Sequence, residues 1–375
     1  MDWRVPLADL DIGIEEDNAV LGVLHSRWLT MGEVTQKFEE EFRQLVGCKH
    51  TLAVSNATEA LHLACLALGI GPGDEVITPS LSFVATSNAV LYTGADVKCA
   101  DISGSEDLTI DPMDIERKIT PRTRAIIVMH YAGYACRMNE IMAVATRHHL
   151  PVIEDAAHCP GASLDGKALG NWGQIGCFSF FSNKNISTGE GGMVTTNDDE
   201  LAKKIGLQRS HGMTTLTYDR HKGHAYSYDV VDLGYNYRID EIRSALGIEQ
   251  LKKLARNNAL RRTWTDLYRS QLKDLGVGLP FEKQPGISAC HLFPIVLPEG
   301  TNRKLVIDRM RERRVQTSIH YPPTHLFSYY LQRYGRVSLP KTEEIAEREL
   351  TLPLYPTMGE EAVEIVVEAL KFGMS

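Results

Sequence analysis

Between residues 50 and 200, short apolar runs alternate with stretches of helical periodicity, and this alternation restricts the fold more than any other feature of the chain. The runs Thr51–Val54, Glu75–Thr78, Val97–Asp101, Ala125–His130, Val152–Asp155, Gly176–Phe181 and Gly192–Thr195 are rich in Val and Ile. Most are too continuously apolar for half-exposed strands, which alternate in polarity. The stretches Thr58–Leu68, Met138–His148 and Glu200–Gln208 carry apolar residues at helical spacing. Buried strands alternating with helices predict an α/β fold: a mostly parallel sheet of seven strands with helices on both faces. Beyond residue 239 the pattern changes. Ile239–Lys253 reads as a long helix continued by a charged stretch to Leu275, followed by a strand at His291–Leu297, a helix at Asn302–Arg313 and a short strand at Thr317–His320. The expected division is a large domain over 1–245 and a smaller C-terminal α+β domain over 246–375, with the boundary inside the long helix.

In such sheets ligands bind beyond the carboxyl ends of the strands. Asp155 ends one apolar run, and Lys184 follows another in Ser179-Phe-Phe-Ser-Asn-Lys184-Asn-Ile-Ser-Thr-Gly189-Glu-Gly-Gly192. A desolvated lysine amine loses part of its charge and becomes a nucleophile toward aldehydes. A lysine able to form a Schiff base, with an aspartate to keep a pyridine nitrogen protonated, is the minimal protein equipment for pyridoxal phosphate.

Other residues gain weight from that pair. Ser55-Asn-Ala57-Thr58 follows a strand and opens a helix, where free backbone N–H groups stabilise an anion; alone, Ser55 or Thr58 would read as an ordinary cap. Phe83, just past a strand, could stack on a pyridine ring, although most phenylalanines are core residues. His158 could reach the ring or its 3-oxygen, and Ser179 could offer a hydroxyl to a phosphate. The glycines of Gly189-Glu190-Gly-Gly192 let backbone pass close to a ligand. His221 and His224 form an H-x-x-H spacing in the expected loop Ser210–Ser227, with too little around it for a metal site, so no metal is assigned.

Composition narrows the function classes. The net charge of −8 gives no support for nucleic-acid or membrane binding. The N-terminus lacks a basic-then-apolar signal pattern, and no apolar run approaches spanning length. Seven scattered cysteines without a C-x-x-C pair are expected to be reduced thiols of a cytoplasmic protein.

The ordered set Trp28-Leu-Thr30-Met-Gly32, Ser55-Asn-Ala-Thr58-Glu-Ala-Leu61, Glu154-Asp155-Ala-Ala-His158, Phe178-Ser179-Phe-Phe-Ser-Asn-Lys184, Thr188-Gly-Glu190-Gly-Gly192, Gly234-Tyr-Asn236-Tyr-Arg238 and His320-Tyr321-Pro-Pro-Thr-His325 runs along nearly the whole chain. It resembles the DegT-type sugar aminotransferases, a fold-type I pyridoxal phosphate family. The resemblance implies that Lys184 forms the Schiff base and shuttles the proton, and that Asp155 pairs with the ring nitrogen. It implies that Phe83 stacks on the ring, that Ala57, Thr58 and Ser179 bind phosphate, and that His158 contacts the ring where relatives have glutamine or histidine. Asn236 would reach the phosphate of a neighbouring subunit, making a homodimer with shared sites. Thr30, Glu190, Arg238, His320 and Tyr321 would line the substrate side. The implied reaction takes an amino group from L-glutamate, leaving 2-oxoglutarate, and gives it to a keto sugar, nucleotide-linked. Relatives with histidine in place of the lysine are sugar dehydratases; here the residue is Lys184. The competing readings are a pyridoxal phosphate enzyme acting on a free keto-polyol of the inosose type, a dehydrating relative, and a non-catalytic small-molecule-binding regulator.

Overall fold

A computed structural model describes residues 3–215 and 227–375, so His221 and His224 lie outside the described residues. Seven strands form the central sheet: β1 (His50–Val54), β2 (Glu75–Pro79), β3 (Asp96–Ala100), β4 (Thr123–Met129), β5 (Val152–Asp155), β8 (Ile175–Ser179) and β9 (Gly192–Thr196). The hairpin β6 (Ser163–Leu164) and β7 (Lys167–Ala168) stands apart. The sheet order is β1-β9-β8-β5-β4-β2-β3. The five strands from β8 to β3 pair in parallel, and only β9 runs against the rest, antiparallel to both β8 and β1. Each of the seven expected strands is present, with ends moved by at most two residues.

Alternation across the pleat separates two cores. Ala125, Ile127 and Ile153 pack on the helix Ala57–Ala67 side with Leu61, Ala64 and Ile205. Ile126, Val128 and Val152 face the other way, onto Phe38, Phe42, Met138 and Ile141. Burial on both faces is why these runs read as continuously apolar.

The C-terminal part holds the two-stranded sheet β10 (Phe293–Val296) and β11 (Glu349–Leu352) with the helices Arg303–Glu312, Pro340–Arg348 and Glu360–Met374. Thr317–His320 is not a strand. It makes one antiparallel bridge, Ser318 to Thr351, on the outer side of β11, and the His320 ring adds a hydrogen bond to the Thr351 hydroxyl at 2.9 Å. The long helix is continuous over Glu241–Leu272 and is capped by the Asp240 carboxylate, which accepts from the Arg243 N–H at 2.9 Å.

The parallel strands and β1 all end at one edge of the sheet, and β9 starts there: Ser179 and Val54 both pair with Gly192. A Cβ on Gly192 would lie 2.7 Å from the Asn56 carbonyl carbon and 2.9 Å from the Ala57 nitrogen. Only glycine therefore lets the 190–192 turn seat against the start of the helix Ala57–Ala67. Glu241 binds the Trp28–Gly32 segment from the far side: its carboxylate accepts from the N–H groups of Gly32, Val34 and Thr35 at 2.8–2.9 Å. With Thr30 bridged to Asp240 and Arg238 bridged to Val54, this fixes the Thr30 and Asn236–Arg238 segments beside the same edge.

Candidate active site

The helix Ala57–Ala67 is capped by Asn56, whose side chain accepts from the Glu59 N–H at 2.9 Å; neither Ser55 nor Thr58 serves as the cap. Among the described residues the Ala57 and Thr58 N–H groups have no partner. Unpaired donors at a helix start carry partial positive charge and point at where an anion would sit. Ser179, at the end of β8, is buried, and its hydroxyl oxygen accepts from the Phe181 N–H at 3.3 Å.

Asp155 closes β5 and is 5% exposed. Its Oδ2 accepts from the Thr86 hydroxyl at 2.6 Å and its Oδ1 from the Ala157 N–H at 3.2 Å. Since Thr86 donates to the carboxylate, the Ser82 hydroxyl 2.7 Å away donates to Thr86. Burial pushes the Asp155 carboxyl up against the opposing pull of Thr86, Ala157 and Lys184.

Lys184 sits on a turn pinned by backbone hydrogen bonds. Its N–H reaches the Phe181 carbonyl at 2.8 Å, Thr188 reaches Phe180 at 2.9 Å, and the neighbouring Asn185 is buried. The Lys184 stem is partly exposed, but the amine end lies deep among protein atoms. Desolvation therefore draws its pKa down to about 8, with Asp155 and Cys159 opposing. Its Nζ lies 3.4 Å from His291 Nε2.

His158 is buried with its ring centroid 4.3 Å from that of His291. Burial first, then Lys184 and His320, hold it well below the usual histidine range, so it is neutral. Its Nδ1 accepts from the Ala132 N–H at 3.2 Å, so the proton is on Nε2 and points at the Tyr321 oxygen, 3.1 Å away. Tyr321 remains free to donate its own proton. Burial and the nearby Lys184 lower His320 to about 4. Phe83 is 56% exposed, not a core residue, with its ring 6.0 Å from that of Tyr321.

The remaining expected residues do not join this cluster within one chain. Thr30, Glu190 and Asn236 are exposed, and no hydrogen bond or ring contact among the described residues links them to Lys184. Arg238 is half-buried without an ion pair among the described residues, and burial and Arg209 lower its pKa. Thr86, Ser82, His291 and Asn185 were missed in the sequence. His291 lies two residues before β10, at the start of a strand rather than at its carboxyl end, so the signal that marked Asp155 does not mark it.

The chain matches the DegT/DnrJ/EryC1/StrS aminotransferase family over residues 10–371. It belongs to that family. The spore coat polysaccharide biosynthesis protein SpsC of Bacillus subtilis is 39% identical over 379 residues, spanning 99% of this chain and 96% of SpsC. Among solved structures, Helicobacter pylori PseC, an aminotransferase of pseudoaminic acid biosynthesis, is 31% identical with a TM-score of 0.91, covering 100% of this chain and 99% of PseC. NtdA of Bacillus subtilis, solved with bound cofactor PMP, is 32% identical with a TM-score of 0.87, covering 98% of this chain and 83% of NtdA. The enzyme is a fold-type I, pyridoxal phosphate-dependent transaminase of the sugar aminotransferase family. The residues at the sheet edge fit that cofactor on three observations: the unpaired N–H groups at Ala57 and Thr58, the exposed Phe83 ring, and a buried Asp155 carboxylate that its neighbours only partly satisfy.

Proposed function

We propose that the enzyme moves an amino group from L-glutamate to the keto carbon of a nucleotide-linked sugar, with Lys184 as the group that holds the cofactor and carries the proton. The observation that supports this most is a lysine amine that burial draws down to about 8 and that feels the charge of the Asp155 carboxylate. At neutral pH such an amine keeps a basic fraction that a solvent-exposed lysine lacks. Pyridoxal phosphate, when bound, supplies the electron sink. The chain supplies the rest. Asp155 holds a protonated ring nitrogen, whose charge would return the carboxyl to its ionised form. The Ala57 and Thr58 N–H groups and the Thr58 and Ser179 hydroxyls hold the phosphate. Phe83 would stack on the ring, and His158, whose Nε2–H points at Tyr321, would contact it.

His320 and Tyr321 would form the substrate wall, with the exposed Thr30 and Glu190 on the substrate side of the assembled site. Arg238, a half-buried cation without an ion pair among the described residues, suits the carboxylates of an amino donor or the phosphates of a nucleotide. Next to Asn236, Leu233 is 76% exposed and Val230 and Val231 are each 56% exposed. A second copy covering that apolar face would bring Asn236 and Arg238 to the partner's phosphate, and we place the functional unit as a homodimer on that ground. All seven cysteines are unpaired, which suits the cytoplasm. We also keep the domain boundary within the long helix, at 245/246.

The deciding experiment loads the enzyme with pyridoxamine phosphate and presents a panel of nucleotide-linked keto sugars, nucleotide-free sugars and inososes. Conversion of a nucleotide-linked member, with glutamate regenerating the loaded form, is the expected result. Turnover of a free inosose alone would contradict the substrate class.

A further inference from the structure

The side chains behind Lys184 form a hydrogen-bonded row whose proton positions can be worked out from one end. Asn258, on the long helix, places its Nδ2 2.8 Å from the Pro160 carbonyl, which can only accept. Its Oδ1 must therefore face Asn185, whose Nδ2 lies 2.8 Å away. Asn185 Nδ2 also gives its other proton to the Ala289 carbonyl at 2.8 Å. Both amide protons of Asn185 are then spent, and its Oδ1 can only accept. That oxygen lies 2.9 Å from His291 Nδ1, so Nδ1 carries the proton. Nε2 of His291 is left with a bare lone pair, 3.4 Å from Lys184 Nζ. All three side chains are buried. The neighbouring His158 has the opposite arrangement, with its proton on Nε2.

We propose that His291 is a positioning residue for Lys184: its Nδ1–H tautomer, imposed by Asn185 and Asn258, keeps a lone pair on Nε2 that receives the lysine amine whenever the amine is not joined to the cofactor. A transaminase must release its lysine during every cycle, and the released amine needs a fixed resting place from which to move a proton. A neutral acceptor serves this better than a second carboxylate. It fixes one N–H direction without adding the counter-charge that would keep the amine protonated. The other titratable groups that bear on the amine are Asp155, Cys159, His158 and His320. Among the described residues, His291 is the one side chain within hydrogen-bond distance of the amine. The inference rests on the proposed role of Lys184.

Two measurements on the full-length enzyme, cofactor-free and then pyridoxamine phosphate-loaded, test it. Nitrogen-15 NMR of histidine-labelled protein, assigned by the signal lost in His291→Gln, should show His291 protonated at Nδ1 only. Competitive acylation across pH, read by mass spectrometry of the Lys184 peptide, should give a midpoint near about 8 in the wild type. In His291→Leu the ammonium loses its acceptor, and the midpoint should fall by about one pH unit. His291→Gln, whose carbonyl can accept, should restore it. In His291→Leu kcat should fall about tenfold while KM for the sugar stays within about threefold. A proton on His291 Nε2, or a midpoint unmoved by His291→Leu, would overturn the proposal. If His291→Leu does not fold, the wild-type NMR result still decides. Cofactor trapped on a different lysine would instead break the role of Lys184, and it would leave the tautomer result intact.

Discussion

Glu154 and Asp155 are neighbours on β5, are 0% and 5% exposed, and point to opposite faces of the sheet. Glu154 is fully occupied. Its carboxylate accepts from His130 Nε2 at 2.9 Å and from the N–H groups of Gly170, Trp172 and Gly173 at 2.6–2.7 Å. His130 accepts from Cys136 at Nδ1, so its Nε2 proton is committed to Glu154 as well. Asp155 receives only two donors, from Thr86 and Ala157, and feels the charge of the Lys184 amine. Burial alone does not mark a catalytic carboxylate. What separates the two is how much of the hydrogen-bonding capacity the fold has already used. Glu154 holds the 170–173 turn in place, and Asp155 holds capacity in reserve.

The comparison can be broken by substitution, and the largest effect belongs to the reserved side. Lys184→Ala should reduce turnover by about a thousandfold or more while the protein folds normally. Steady-state rates and thermal melts together check this, and a variant with a tenth of wild-type turnover would remove Lys184 from the chemistry. Asp155→Asn should cost at least about a hundredfold in turnover. Its stability should change little, because burial already opposes the charge that the amide removes. Glu154→Gln should do the reverse. An amide nitrogen facing backbone donors should cost about 3 kcal/mol in denaturant unfolding, with turnover per folded molecule kept within a few-fold. If the two variants exchange phenotypes, Glu154 and not Asp155 is the carboxylate that the chemistry uses.

The sharing of sites between subunits gives a further test. Lys184→Ala and Asn236→Ala homodimers, mixed under conditions that exchange subunits, should regain activity, because one site of each heterodimer carries neither defect. Demonstrated exchange without recovery would place Asn236 in its own chain's site.

The smallest effect is on stability. Burial draws the Lys184 amine down to about 8 in the folded chain, below its unfolded value. The unfolded chain therefore binds more protons between pH 8 and the unfolded pKa, and stability rises with pH across that window. The penalty is fully present below pH 8. Cofactor-free Lys184→Met should then be more stable than the wild type at pH 7, by about 1–2 kcal/mol after allowing for the partly exposed stem, with the gap closing above about pH 10.5. Equal stabilities at pH 7 would mean that the amine is not desolvated.

Much of the fold was legible because its signals are local. Strands buried on both faces read as apolar runs, and the reversal of β9 was the part that periodicity could not supply. Thr317–His320 looked like a strand from its residue types, yet β11 pairs fully with β10 and leaves it a single bridge. In the site, Lys184 and Asp155 were visible because each stands where an apolar run stops. Phe83 was expected to be buried on residue type alone, and its exposure follows from a position past the end of β2. His291 and Asn258 were not visible, because 107 residues separate His291 from Lys184 and only tertiary packing joins them. The cap at Asn56 rather than Ser55 or Thr58 depended on one turn's geometry, which residue types do not resolve.

The central claim is that Lys184 is the residue that carries the cofactor, and reductive trapping tests it most directly. Enzyme loaded with pyridoxal phosphate is treated with borohydride, digested and mapped by mass spectrometry. The account predicts a single modified peptide, with the reduced cofactor on Lys184 and none in Lys184→Ala. Label on any other lysine, or label that persists in Lys184→Ala at the wild-type level, would contradict it.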